Sequence, residues 1–129
     1  MTPKSPPSGN LPRILLLVED ECGWEPLSRN LDVGGGPDDY FTLALLSRGV
    51  QNLIYDPFQR TAAHNDCVLK EINDQPADTA TLSDVLNVIE RKRDIIDLLK
   101  RVKRWVKPGG RVYFTVYEGN GTGRGIKEG

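Results

Sequence analysis

The residues best placed to do chemistry lie in Leu31-Asp32-Val33-Gly34-Gly35-Gly36, a triple-glycine turn between a short apolar stretch and a segment that reads as a helix from about Asp39. A turn without Cβ atoms closes tightly and lets a ligand approach its backbone, and the helix after it offers free N–H groups. Gly34, Gly35 and Gly36 are therefore candidate binding residues. Asp32 decides the kind of ligand, because a carboxylate two places before the first glycine would oppose a phosphate and could hold an ammonium group. The pattern Asp-x-Gly-x-Gly points towards S-adenosylmethionine, a nucleoside with a cationic arm.

A second carboxylate lies at a useful separation. Asp56 closes the run Asn52-Leu53-Ile54-Tyr55, twenty residues beyond Gly36, and Pro57 keeps that run from continuing as a regular ladder. At this spacing a βαβ unit brings the carboxylate at the tip of its second strand to a ribose, where it can accept from both hydroxyls. Taken alone, the glycine turn is equally well a tight strand–helix connection. Asp32 and Asp56 in register make ligand binding the stronger reading.

The elements that must position these groups can be read in order. Met1 to Asn10 holds three prolines, two serines and a glycine and reads as a flexible tail. Leu11 to Val18, after Pro12, is a compact apolar run suited to a buried strand, with a buried helix as the alternative, and it ends in Glu19-Asp20-Glu21. A short strand is expected at Asn30 to Val33. A helix from Asp39 then carries Phe41, Leu45 and Leu46 at helical spacing, with Asp38 or Asp39 as N-cap and Gly49 ending it. After the Asn52 to Asp56 strand, Thr61 to Asn73 reads as a helix with Val68, Leu69 and Ile72 inward. Asp78 to Leu82 reads as a third strand.

The clearest helix places Ile95, Leu98, Leu99, Val102, Trp105 and Val106 on one stripe and stops at Pro108-Gly109-Gly110. Arg111 to Tyr117 alternates and reads as the last strand. Glu118 to Gly129 carries five glycines in twelve residues and reads as a frayed, mobile end or a ligand-ordered loop, the frayed end being favoured. Strands alternating with helices imply an α/β fold with a mainly parallel sheet. Its domain is expected to run from residue 11 to 118, between tails at 1–10 and 119–129.

Composition narrows the function classes. One domain is expected for 129 residues of net charge -1, in which the first 64 residues carry five Lys/Arg against eight Asp/Glu and the rest carry twelve against ten. Cys22, Cys67 and the single His64 show no metal-ligand spacing, so no metal is expected. The cysteines read as small buried or half-buried residues in a reducing, cytoplasmic setting, and His64 as a polar contact rather than a base. No apolar run approaches the roughly 20 residues that would span a membrane. Arg91, Lys92, Arg93, Lys100, Arg101, Lys103, Arg104 and Lys107 flank the apolar stripe of the long helix. They hint weakly at nucleic acid and read better as a solvated exterior.

Several motifs occur in order: Asp32-Val33-Gly34-Gly35-Gly36, Tyr55-Asp56-Pro57-Phe58, Ala77-Asp78-Thr79, Asn87-Val88-Ile89, Lys107-Pro108-Gly109-Gly110 and Tyr113 to Gly119. As an ordered set they resemble class I S-adenosylmethionine-dependent methyltransferases, in particular the short methyltransferase-domain proteins of phages and bacteria. The resemblance implies a Rossmann-like three-layer αβα fold. It also implies that Asp32, Gly34 and Gly36 face the methionine part of the cofactor, that Asp56, followed by Pro57, holds the ribose, and that Leu82 and Ser83 line the floor beneath the sulfonium.

Asp84, Tyr117 and Glu118 are the nearest ionisable groups should the acceptor need deprotonation. The chain departs from the family in lacking a separate adenine-framing strand and the C-terminal antiparallel strands, so it reads as shortened, and a homodimer that completes the sheet is conceivable. Two other readings remain. One is a receiver-like phosphoacceptor domain with Glu19-Asp20-Glu21 as acidic cluster, Asp56 as acceptor, Thr81 as switch and Lys107 as charge partner. The other is a non-catalytic scaffold on the methyltransferase fold.

Overall fold

The computed structural model describes residues 12–117 and 124–128. Five strands form one sheet in the order β2-β1-β3-β4-β5, with β1 Arg29–Val33, β2 Gln51–Tyr55, β3 Ala77–Ser83, β4 Val106–Tyr117 and β5 Arg124–Glu128. The first four strands are parallel to one another and β5 is antiparallel to β4. Helices α1 (Arg13–Glu21), α2 (Tyr40–Leu46), α3 (Ala62–Asp74) and α4 (Lys92–Trp105) cover the two faces. The result is the expected shortened Rossmann-like three-layer arrangement.

Strand parity assigns the faces, since successive residues point to opposite sides. Leu31, Val33, Tyr55, Ala80 and Leu82 pack with Val68 and Ile72 of α3 and with Val102 and Trp105 of α4 in the larger core. Burying a Leu or Ile of this kind fully stabilises the fold by about 1.5–3 kcal/mol. On the other face Ile14, Leu15 and Val18 of α1 pack with Phe41, Leu45, Val50 and Tyr113. That second core is small, and between it and the glycine turn the sheet face is polar, carrying the buried Asn30, Asp32, Asn52 and Thr81.

Three expectations need correcting. The Leu11 to Val18 run is not a strand: Arg13–Glu21 is α1, in which Ile14, Leu15 and Val18 are buried and Leu16 is exposed. The density of apolar residues masks their spacing of three and four, and Pro12 sits just before the helix, where a missing N–H costs nothing. The glycine-rich end is not wholly a frayed tail, because Arg124–Glu128 pairs with Tyr113–Tyr117, so one C-terminal antiparallel strand is present. Cys22 and Cys67 are exposed, not half-buried. The expected tail at 1–10, residues 119–123 and Glu118 lie outside the described residues.

Lys107 to Gly110 does not simply end a helix. It lies within β4, where the pairing jumps from Ala77↔Val106 to Thr79↔Arg111. Gly109 takes φ 82°, and a Cβ on Gly110 would come within 2.6 Å of the Asp78 carbonyl oxygen. Both glycines are thus required for β4 to rejoin β3 after the bulge. Among the described residues no helix is long and apolar enough to cross a membrane.

Candidate functional site

The crossover geometry puts a crevice at one place. The chain runs from β1 through α2 to β2 on one side and returns through α3 to β3 on the other side of β1, so helices diverge at the C-terminal ends of β1 and β3. A cavity of about 830 Å³ opens there. Gly34, Gly36, Asp56, Pro57, Ser83 and Asp84 line it, so six of the sequence-predicted residues come together. Asp32, Gly35 and Leu82 do not line it. Tyr117 ends β4, and Glu118 is outside the described residues.

The three glycines do different work. A Cβ on Gly34 would fall 2.8 Å from Val85 Cγ2, so the segment after β3 packs directly on the turn there. A Cβ on Gly35 would fall 2.3 Å from Asp32 Oδ2, because that carboxylate lies immediately beneath it. Gly36 has nothing within 4 Å of its Cβ position and is needed for its φ of 83°. The turn is therefore filled by the protein at Gly34 and Gly35 and open at Gly36.

Asp56 is buried and ties the glycine turn to the segment after β2. Its Oδ2 accepts from the Gly36 N–H at 3.0 Å, and its Oδ1 accepts from the Phe58 and Gln59 N–H groups at 2.9 and 3.1 Å. Asn65 of α3, which sequence reasoning missed, grips the main chain at the same point: its Oδ1 accepts from the Asp56 N–H and its Nδ2 donates to the Asp56 carbonyl, both at 3.0 Å. Arg60, also missed, donates from Nε to the Gly36 carbonyl at 2.8 Å and from Nη2 to the Asp38 carbonyl and the Asp39 carboxylate. No local pattern signals either residue, since each acts across a fold of the chain. Thr61, whose side chain accepts from the His64 N–H, starts α3 at the angle that delivers Asn65.

Asp32 sits within the polar face of the sheet. Its Oδ1 accepts from the Thr81 hydroxyl at 2.9 Å. Burial pushes its pKa from 3.8 up to about 7, with the Thr81 hydroxyl drawing it back, the Asp56 and Asp38 charges raising it and Arg60 lowering it. On the far side of the cavity, Asp84 adopts φ 56°. Its N–H reaches the Thr115 carbonyl and hydroxyl, each at 3.1 Å, and the Thr115 hydroxyl donates to Asp84 Oδ1 at 3.2 Å. A left-handed aspartate held at a cavity rim is the kind of local strain that collects at working sites.

Part of the cavity lining is apolar. Pro57, Phe58, Val85, Val88 and Ile89 belong to it, and Phe58 and Val88 are 92% and 78% exposed. Such exposure of large apolar groups is informative where they cluster on a cavity. Arg101 also lines the cavity, lying over the Trp105 ring at 5.3 Å and donating to the Tyr55 hydroxyl at 3.4 Å.

The receiver arrangement does not assemble. Glu19-Asp20-Glu21 belongs to α1, and Glu19 pairs with Arg48, which precedes β2, whereas Asp56 lies just beyond it. Lys107 pairs with Asp78 near the start of β3, and Thr81 is buried on Asp32. His64 donates from Nε2 to the Ile54 carbonyl at 2.7 Å, satisfying a backbone group of the edge strand.

A family model described as "Methyltransferase domain" matches residues 8–124, most of the chain. The chain belongs to the methyltransferase-domain family. Among solved structures, the domain is similar to the glycopeptide N-methyltransferase MtfA complexed with sinefungin, at 12% identity and a TM-score of 0.58 over 90% of this chain and 64% of that one. It is also similar to coclaurine N-methyltransferase bound to N-methylheliamine and SAH, at 12% identity and a TM-score of 0.54 over 80% of this chain and 35% of that one. Those likenesses are of fold, and the domain spans less than two thirds of either protein. No curated protein matches the chain in sequence.

Proposed function

We propose that this methyltransferase domain binds S-adenosylmethionine at the C-terminal ends of β1, β2 and β3 and transfers its methyl group to an acceptor that the other parts of the surface select. The observation that carries the reading is the meeting of Gly36 and the buried Asp56 carboxylate on one cavity. A Cβ-free, open position beside a carboxylate suits a ribose lying on the backbone. Asp56 already accepts three backbone hydrogen bonds, two on Oδ1 and one on Oδ2, and because a carboxylate offers about four acceptor sites, the one left on Oδ2 can take a ribose hydroxyl.

The remaining walls fit the rest of the cofactor. Phe58, Val85, Val88 and Ile89 supply the apolar surface an adenine needs. Asp32, buried beneath Gly35, places a negative group under the turn and favours a cationic arm over a phosphate. Bound there, the cofactor supplies an activated methyl on a sulfonium, and the protein's task is mainly to hold donor and acceptor in line. Asp84 is one of the acidic residues lining the cavity, with Glu90 and Asp94, and its place just after β3 makes it the candidate to receive a proton from the acceptor. The supports for other partners are thinner: the basic residues of α4 are solvent-exposed, and β2 leaves one sheet edge open to a second copy.

Calorimetric titration with S-adenosylhomocysteine tests the reading. Saturable binding that Asp56→Ala abolishes, with the variant still folded by circular dichroism, is the expected result. A folded wild-type protein that takes up neither S-adenosylhomocysteine nor S-adenosylmethionine would leave a scaffold as the surviving function.

A further inference from the structure

Asp32 is the end of a longer chain of buried contacts. Asn52 Nδ2 donates to Thr42 Oγ1 at 2.9 Å, Asn30 Nδ2 donates to Asn52 Oδ1 at 2.9 Å and to Thr81 Oγ1 at 3.0 Å, and Thr81 donates to Asp32 Oδ1. Thr79 Oγ1 donates to Asn30 Oδ1 at 2.8 Å and so fixes which way the Asn30 amide points. Asn30 and Thr81 are fully buried and Asn52 nearly so. Three adjacent strands and α2 thus spend interior positions on polar groups, where apolar ones of similar volume would serve the core better.

We infer that this ladder makes cofactor capture proton-dependent: the site takes the amino-acid arm of S-adenosylmethionine tightly only when Asp32 is ionised, and Thr81 is the positioning residue that holds it in that form. The inference rests on the cavity being the cofactor site.

The polarity of the ladder supplies the mechanism. Because Asn30 donates to Thr81 Oγ1, the Thr81 hydrogen is left to point at Asp32, and a donor aimed at a carboxylate favours its charged form. The carboxylate lies directly under Gly35, between the two glycines that face the cavity, so its charge acts on a ligand at the turn through little protein and no bulk water. The charged groups around it are Asp56 after β2, Asp38 before α2 and Arg60 after the Asp56 turn. Two acids and one base leave the balance against ionisation, which is the direction burial also pushes, to about pH 7. Thr81 opposes both.

Titrations of S-adenosylhomocysteine and of adenosine against the whole chain, from about pH 5.5 to about pH 8.5, separate the possibilities. Adenosine lacks the ammonium group and should bind with a flat profile. S-adenosylhomocysteine should tighten by about tenfold per pH unit below the midpoint and level off above it. Thr81→Val should move that midpoint upward without altering adenosine binding, and Thr81→Ser should restore the wild-type profile. If Thr81→Val does not fold, Asp32→Asn serves: weak, pH-independent S-adenosylhomocysteine binding with unchanged adenosine binding is expected. Parallel profiles for the two ligands in the wild-type protein would overturn the inference while leaving the cofactor reading intact. Failure of both ligands to bind at every pH would overturn both.

Discussion

A carboxylate buried on a sheet face for the sake of a ligand should weaken the fold that carries it, and Asp32 allows this to be measured. Its pKa is about 7 in the folded protein against an ordinary 3.8, a gap equivalent to about 4 kcal/mol of preference for the protonated acid. The folded value lies above the unfolded one, so between the two the folded protein holds a proton that the unfolded chain has released. The stabilisation is complete below about pH 3.8 and is lost as pH rises towards 7. From about pH 5 to about pH 8 the loss amounts to about 2–3 kcal/mol, or about 10 °C in melting temperature for a domain of this size.

Asp32→Asn removes the titration and keeps the shape. The amide can still accept from Thr81, but its new N–H groups beneath Gly35 add a pH-independent penalty of about 1–3 kcal/mol if unpaired. That penalty cancels when each protein is compared with itself across pH. Urea unfolding of both proteins at a series of pH values should therefore show the wild-type curve falling by about 2–3 kcal/mol relative to that of the variant between about pH 5 and about pH 8. Parallel curves would refute the reasoning, because they would mean that Asp32 folds already ionised and that the ladder costs the domain nothing.

The turn and its supports give two further outcomes. Asn65→Ala removes both hydrogen bonds to the Asp56 main chain and should destabilise the fold by about 1–3 kcal/mol in urea titration, while weakening adenosine binding more than the loss of stability explains. Gly36→Ala should cost only about 1–2 kcal/mol of stability, since only its left-handed backbone resists a side chain. Gly35→Ala must displace the Asp32 carboxylate, so it should cost more and should also flatten the pH profile that Gly36→Ala leaves unchanged.

Much of the arrangement is legible in the chain because it is local. The Asp39 and Thr61 helix starts, the Gly49 stop and the strands expected to close at Val33, Asp56 and Leu82, each within one residue of the observed end, depend on a few neighbouring residues. The order of glycine turn and Asp56 is legible for the same reason. The hidden part is relational. Leu11 to Val18 carries so many apolar residues that its helical face is indistinct until Leu16 is seen exposed and Ile14 buried. Asn65, Arg60 and Thr115 work only through partners brought close by the fold, and nothing in their own surroundings marks them.

The same distinction bears on Asp32. Its position in the turn suggests direct contact with an ammonium group, yet the structure puts Gly35 above it and Thr81 beside it. A carboxylate in that place is better suited to set the electrostatic character of the turn than to touch a ligand lying on it. Direct contact would need an exposed acid, whose effect salt and water would screen. A buried one acts through a short, rigid path and keeps most of its strength. Its own ionisation then becomes the limiting quantity, and on the proposed reading the hydroxyl of Thr81, one strand away, sets that ionisation without touching the ligand.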